Sequence, residues 1–166
     1  MSPYSLFSKI KGVILDIDGV CTNNRILVTD QGEFLRTMNV RDGYAIKKSI
    51  EKGIQVGIIS GGKSEGTRKR FELLGVKDLF LGVSNKAEAF VALISEWKIP
   101  ADQIAYMGDD FPDISVLKMV GLPSCPADAV PEVIPLARYI SPMNGGDGCV
   151  RDLLEKILQA QGLWDS

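Results

Sequence analysis

Hydrophobic and polar positions follow two alternating periods along the chain. Residues 12–17 (GVILDI) form a short apolar, β-branched run ending in acids and Gly19, the pattern of a buried strand that delivers side chains at its C-terminal end. Residues 25–30 and 33–40 alternate loosely about Gln31 and Gly32, which predicts a β-hairpin projecting from the main sheet. From Asp42 the period lengthens: Ala45, Ile46, Ser49 and Ile50 share one face of a helix that Gly53 stops, and a strand over 54–59 follows. The alternation then recurs as a helix over 64–74 closed by Gly75, a strand over 79–81 and a helix over 86–97, whose start carries Asn85 and Glu88 at capping-box spacing. A strand over 104–107, a short helix over 112–119, a weaker strand over 122–125, a helical turn over 130–136, a short strand over 138–140 and a helix over 149–161 complete the series. Strands alternating with helices across short loops predict an α/β fold, a Rossmann-like parallel sheet with helices on both faces. No repeat, low-complexity tract or linker divides the chain, so residues 1–166 are expected to form one domain with its hairpin at 25–40. The glycine-rich stretch 144–148 reads as a flexible connector and 162–166 as a free tail.

Composition narrows the chemistry. A chain of 166 residues, 45% hydrophobic, is long enough to bury one good core. Nineteen basic against 21 acidic residues leave a formal charge of -2, with no electrostatic footprint for nucleic acid or an anionic membrane, so an anionic ligand has to be captured locally. Cys21, Cys125 and Cys149 are odd in number and far apart, which offers neither a zinc half-site nor a disulfide framework and is read as free thiols in a reducing compartment. Residues 1–11 lack the features of a secretory signal and no stretch approaches the length of a membrane span, so a cytoplasmic location is expected. The chain has no histidine, which removes Ser-His-Asp and Cys-His arrangements and imidazole metal sites. Catalysis has to use carboxylates, lysine, hydroxyls, backbone amides or a hard metal ion.

Asp16 and Asp18 stand two residues apart at a strand end, where strand geometry would point both to one face. The pair reads either as solvated acids or as a site whose repulsion a cation relieves, and hard oxygen ligands suit Mg²⁺. Asp109, Asp110 and Asp113 follow a second apolar strand, which a parallel sheet brings to the same edge; one of them is expected to cap the next helix. Ser60 and Gly61 follow the strand over 54–59 and offer a hydroxyl and backbone amides to a phosphate. Lys86 opens a helix, where the dipole disfavours a cation unless an anionic partner is near.

In order, Asp16-x-Asp18-Gly19-Val20-x-Thr22, Ser60-Gly61, Lys86 and Gly108-Asp109-Asp110-x-x-Asp113 resemble the four motifs of the haloacid dehalogenase superfamily of phosphohydrolases. The resemblance implies that Asp16 is the nucleophile of a phosphoaspartyl intermediate, Asp18 the general acid and base, and Ser60, Gly61 and Lys86 phosphate ligands. It implies Mg²⁺ held by the Asp16 and Asp109 carboxylates and the Asp18 carbonyl. Thr22 closes the first motif in a supporting role, Asp110 is expected to orient Lys86, and Asp113 to hold an outer water of the metal. The charge of neighbouring carboxylates would favour the protonated Asp18 that a leaving alkoxide needs.

Little room remains for a cap domain between Thr22 and Ser60 or between Lys86 and Asp109, which resembles the capless branch whose members form tetramers with hairpins covering neighbouring sites. Within that branch, Asn39-Val40-Arg41-Asp42-Gly43-Tyr44, Gly145-Gly146-Asp147-Gly148-Cys149-Val150-Arg151 and Ala160-Gln161-Gly162 are similar to the phosphatases of 3-deoxy-D-manno-octulosonate 8-phosphate, a phosphorylated sugar acid of lipopolysaccharide synthesis. The rival group acts on nine-carbon sugar acids such as 2-keto-3-deoxynononate or N-acylneuraminate 9-phosphate. Its Glu and Lys markers are replaced here by Gly62 and Leu73, although the octulosonate group often has Arg at the position of Gly62. A non-catalytic sugar-pathway domain is the remaining alternative, against which the complete motif set argues. Arg70 is the candidate for the sugar carboxylate from an adjacent subunit. The apolar hairpin residues Ile26, Val28, Phe34, Leu35 and Met38 point to a homotetramer. Trp164 either inserts near a neighbour's site or lies in a disordered tail.

Overall fold

A computed structural model describes residues 2–165. A short helix α1 (Pro3–Phe7), for which the pattern gave no signal, precedes the first strand β1 (Gly12–Leu15). The hairpin strands β2 (Leu27–Val28) and β3 (Phe34–Leu35) lead to helix α2 (Val40–Glu51), and strand β4 (Gln55–Ile59), helix α3 (Glu65–Leu73), strand β5 (Asp78–Phe80) and helix α4 (Lys86–Trp97) follow. The second half comprises β6 (Ile104–Met107), α5 (Ile114–Leu117), β7 (Leu122–Cys125), β8 (Tyr139–Ile140) and α6 (Cys149–Ala160).

Six strands form one parallel sheet in the order β5-β4-β1-β6-β7-β8, and the hairpin is a separate two-stranded sheet. The doubly wound arrangement follows from the strands' own residues. Val13 and Leu15 face one core with Val56, Ile58 and the apolar stripe of α6, whereas Ile14 faces the other with Ile59, Tyr106 and Phe90 of α4. Alternate side chains of one strand thus fill two cores, and burial on both faces is what a near-continuous apolar run encodes. Helices α1, α2 and α6 cover the first face, α4 and α5 the second. The chain runs outward from β1 through β4 and β5, then crosses back to β6 on the other side of β1. The crevice at the C-terminal ends of β1, β4 and β6 is therefore the switch point where open α/β sheets bind ligands. No separate cap is present among the described residues.

Four local features depart from the sequence expectation. The hairpin strands are two residues each, shorter than the expected runs, and α2 starts at Val40, ahead of the expected Asp42, because Asn39 accepts hydrogen bonds from the amides of Arg41 and Asp42. The expected helix over 112–119 is a 3₁₀ turn (Phe111–Asp113) running into α5. The stretch 144–148 is a packed buttress rather than a flexible connector: Gly146 N–H donates to Val20 O at 3.0 Å, Gly145 N–H to Asp128 Oδ1 at 3.0 Å and Asn39 Nδ2 to Gly146 O at 3.3 Å. A Cβ on Gly145 would lie 1.9 Å from Gly19 O, so only glycine permits that approach. Residues 162–165 are not a free tail either. Leu163 N–H donates to Leu158 O at 2.8 Å, and Trp164 packs edge-on to Tyr44 beneath the cations of Lys48 and Arg151, on its own chain; Ser166 lies outside the described residues. No helix among them is long and apolar enough to cross a membrane.

Candidate active site

Parallel pairing brings the predicted residues together. Leu15 pairs with Ile58 and Met107, so the residues just beyond them, Asp16, Ser60 and Asp109, emerge side by side at the sheet edge. Lys86 reaches the same place from the first turn of α4, where Asn85 accepts from the Glu88 amide. One cleft is lined by Asp16, Asp18, Ser60, Gly61, Gly62, Lys86, Asp109 and Asp110. β1 ends before Asp16, so the two carboxylates reach this cleft through a loop and not by strand alternation. The loop owes its path to Gly19, at φ +88°, where a Cβ would fall 1.9 Å from Asp109 Oδ2. Buried Thr22 supports it by accepting from the amides of Gly19 and Asn24, both at 3.3 Å.

Asp16 is 7% exposed. Its Oδ1 accepts from the Ile17 amide at 2.7 Å and its Oδ2 lies 3.0 Å from Lys86 Nζ. Lys86 also donates to Asp113 Oδ1 at 2.8 Å, an oxygen that accepts from the Tyr106 hydroxyl at 2.5 Å as well. Asp113 Oδ2 takes the amides of Asp109 at 2.9 Å and Asp110 at 3.2 Å. The lysine's partner is therefore not the expected Asp110: fully buried Asp113 pairs with Lys86, while Asp110 is the expected cap, on the 3₁₀ turn through the Phe111 amide. An outer metal water on Asp113 is not supported, because both of its oxygens are taken by protein donors. Asp18 lines the same cleft, and its carboxylate is paired with a cation from outside the sheet. Arg36 of the hairpin grips it at two points, Nε to Oδ1 at 2.7 Å and Nη2 to Oδ2 at 3.2 Å. Ser60 Oγ accepts from the Gly62 amide at 3.2 Å. Arg70 is outside the cleft of its own chain, against Gly43 in a small crevice with Met38, Asn39 and Asp42.

Carboxyl oxygens of Asp16, Asp109 and Asp113 lie within 4.8 Å of one another, and Asp109 Oδ1 is buried without a hydrogen-bond partner. That donor set fits a hard divalent cation. With Asp113 committed to protein donors, Asp16 and Asp109 are the carboxylates able to hold it, beside the expected Asp18 carbonyl. The same crowding shifts the titrations. Burial and then the charge of Asp113 push Asp16 up to about 7 against the pull of Lys86, and burial, Asp16 and Asp113 push Asp109 up to about 8. Burial alone would lower Lys86, but Asp16 and Asp113 outweigh it and hold its ammonium above the ordinary lysine range.

Both carboxyls retain protons in the folded chain that the unfolded chain has released, so stability falls as pH rises from the usual carboxylate range through about 7 and 8. In excess chelator we expect the melting temperature to drop steadily between pH 5 and 8. Millimolar Mg²⁺ should remove most of that drop, since a bound cation offsets the same charges. Thermal melts with and without Mg²⁺ check this, and a chelated protein equally stable across that range would contradict it.

Sequence reasoning did not single out Arg36 or Tyr106. Arg36 is a lone arginine in a hairpin and Tyr106 an interior strand residue, and neither stands at a spacing that marks it.

A doubly wound sheet with an acidic pair after β1, a hydroxyl after β4, a lysine opening α4 and a second acidic cluster after β6 defines a phosphohydrolase of the haloacid dehalogenase class. The sequence profile of the haloacid dehalogenase-like hydrolases matches residues 78–153. The 3-deoxy-D-manno-octulosonate 8-phosphate phosphatase of Escherichia coli (strain K12) is 41% identical over 94% of this chain and 83% of its own. The crystal structure of the Yersinia pestis phosphatase of the same name superposes with a TM-score of 0.96 at 37% identity, covering 98% of this chain and 88% of that one. That of Moraxella catarrhalis, in complex with a magnesium ion, a phosphate ion and KDO, superposes at 0.94 with 29% identity, covering 98% and 93%. The chain belongs to the 3-deoxy-D-manno-octulosonate 8-phosphate phosphatase family of haloacid dehalogenase-like hydrolases.

Proposed function

We propose that this single-domain protein is a Mg²⁺-dependent phosphatase that releases phosphate from 3-deoxy-D-manno-octulosonate 8-phosphate through a phosphoaspartyl intermediate on Asp16. The observation that carries the reading is the buried Asp16 carboxylate, 3.0 Å from Lys86 Nζ and grouped with Asp109, whose Oδ1 has no partner. A carboxylate is a poor nucleophile toward a phosphate dianion, and the Lys86 ammonium offsets part of that repulsion. Asp16 and Asp109 would hold Mg²⁺, which supplies charge neutralisation at the phosphoryl oxygens. Ser60 and the Gly61 amide receive those oxygens at the end of β4.

An oxygen of Asp16 attacks phosphorus, the bond from phosphorus to the sugar oxygen breaks, and protonated Asp18 gives its proton to the departing alkoxide. Water then attacks the phosphoaspartate, Asp18 recovers a proton from it, and the bond to Asp16 breaks to release inorganic phosphate. Arg36 grips Asp18 at two points, so Asp18 carries that proton only once the grip loosens. Asp113 and Tyr106 take no part in bond making and keep Lys86 aimed at Asp16.

The test is kcat/KM with Mg²⁺ for octulosonate 8-phosphate, nononate 9-phosphate and an aryl phosphate. We expect a preference of at least about tenfold, or about 1.4 kcal/mol of transition-state discrimination, for the first. Preference for the second would reassign the substrate, and no phosphate release from any would overturn the phosphatase. The reading includes a homotetramer. Leu27, Val28 and Phe34 are 66%, 61% and 61% exposed on the hairpin, an apolar surface that neighbouring copies would cover, with Arg70 reaching an adjacent site. Light scattering at micromolar concentration should give four times the chain mass, and a monomer would refute it. Three buried free thiols support a reducing, cytoplasmic setting.

A further inference from the structure

Near its start, helix α2 carries a glycine that its backbone does not require. Gly43 is buried and its φ lies outside the left-handed region, and glycine is a weaker helix former than alanine, so its presence there has another cause. The neighbouring helix supplies it. A Cβ at residue 43 would lie 2.3 Å from Arg70 Nη2, whereas the next atoms, Arg70 Cζ and Leu74 Cδ2, would stand at 3.3 Å, so the tip of Arg70 is the group that the missing methyl makes room for. Arg70 comes from the last turn of α3 and lies over a crevice lined by Met38, Asn39, Asp42, Gly43 and Leu74. Arg68 on the same helix is paired with Glu65, but none of the ion pairs or side-chain hydrogen bonds among the described residues engages the Arg70 guanidinium. Shape places its head, and its donors stay open to a ligand.

We infer that Gly43 is a positioning residue for the sugar-acid reaction: it seats the Arg70 guanidinium against α2, in the placement from which that arginine serves the carboxylate at an adjacent site. The inference rests on the role of Arg70 proposed above. A long side chain loses rotamer freedom when it binds, and a seat that fixes it beforehand lowers that cost and sets the angle of the fork. The seat is itself held. Asn39 caps α2 through the amides of Arg41 and Asp42, and Asp42 Oδ1 accepts the Arg151 amide at 2.8 Å, which ties the start of α2 to α6. Alanine at 43 suits the helix, and the atom it displaces is the far end of a flexible side chain, so the fold keeps its stability while Arg70 loses its place.

The experiment compares wild type, Gly43→Ala, Arg70→Ala and the double variant on octulosonate 8-phosphate and on a carboxylate-free aryl phosphate with Mg²⁺, with melting curves and light scattering for each. In Gly43→Ala we expect kcat/KM for the sugar acid to fall at least about fivefold more than for the aryl phosphate, with most of the excess in KM, at a melting temperature no lower than wild type and an unchanged assembly. In the Arg70→Ala background the same substitution should alter the preference less than twofold, because the group it displaces is gone. Four results would overturn the seat while leaving the role of Arg70 standing: a preference within twofold of wild type in Gly43→Ala when Arg70→Ala has lost it, equal losses on both substrates, an altered assembly, or losses that simply add in the double variant. A preference that survives in Arg70→Ala would overturn the role of Arg70 and the seat with it. A wild type without preference for the sugar acid would overturn the substrate reading on which both depend.

Discussion

Asp16→Asn releases phosphate from octulosonate 8-phosphate at least about 10⁴-fold more slowly than wild type, because the amide keeps the shape of the carboxylate and loses its nucleophilicity. Its structural cost is one donor–donor contact, the new NH₂ group facing the Lys86 ammonium. An Asn oxygen can still accept the Ile17 amide, and Lys86 keeps Asp113 as its second partner. It also removes one of the carboxylates crowded into the metal-binding cluster, which offsets that contact, so the chelated variant should melt no lower than wild type at pH 8. Acid-quenched single turnovers with labelled substrate separate this from a binding defect: wild type gives protein-bound phosphate and Asp16→Asn none. Turnover within tenfold of wild type, or labelled protein in the variant, would remove Asp16 from the role of nucleophile.

What the sequence disclosed about this site is what regular geometry transmits. The apolar runs at 12–17, 54–59 and 104–107 fix parallel strands, and register then aligns Asp16, Ser60 and Asp109 without any tertiary detail. Lys86 was legible because a cation at a helix start contradicts the dipole and therefore needs an anion nearby. The partner of that cation was not legible. Asp110 and Asp113 are three residues apart around a turn, and which one points inward depends on the 3₁₀ geometry set by Pro112 and the cap at Asp110, below the resolution of spacing arguments. Arg36 was hidden for a related reason: its contact with Asp18 spans 18 residues and depends on how the hairpin folds over the cleft. The glycines at 145 and 146 carry the composition of a flexible loop. Their cause is the close approach of two backbones, visible only when the catalytic loop lies against them. Trp164 similarly had no partner until α2 and α6 packed together and set Tyr44, Lys48 and Arg151 around it.

Asp113→Asn tests whether Asp113 orients Lys86 and carries the largest expected cost to stability. All four partners of the Asp113 carboxylate are donors: the Lys86 ammonium and the Tyr106 hydroxyl on Oδ1, the amides of Asp109 and Asp110 on Oδ2. An asparagine has one acceptor oxygen, so its NH₂ group meets donors whichever way the amide is turned. Two unsatisfied contacts in a fully buried position, together with the loss of a charge facing Lys86, should cost about 3–5 kcal/mol. Catalysis suffers by a separate route. Lys86 loses the carboxylate that aims it, Asp109 loses the bond to its amide, and kcat is expected to fall at least about 100-fold with a smaller change in KM. Asp110→Asn provides the contrast. Its side chain caps a short exposed turn, asparagine caps as well as aspartate, and both stability and kcat should stay close to wild type. Urea unfolding and steady-state kinetics on the two variants read the difference directly. If Asp110→Asn is the crippled enzyme and Asp113→Asn turns over normally, Lys86 takes its orientation from Asp110 in the working protein. The expected order places the positioning carboxylate at Asp113, buried behind the lysine, and leaves Asp110 to shape the turn that puts it there.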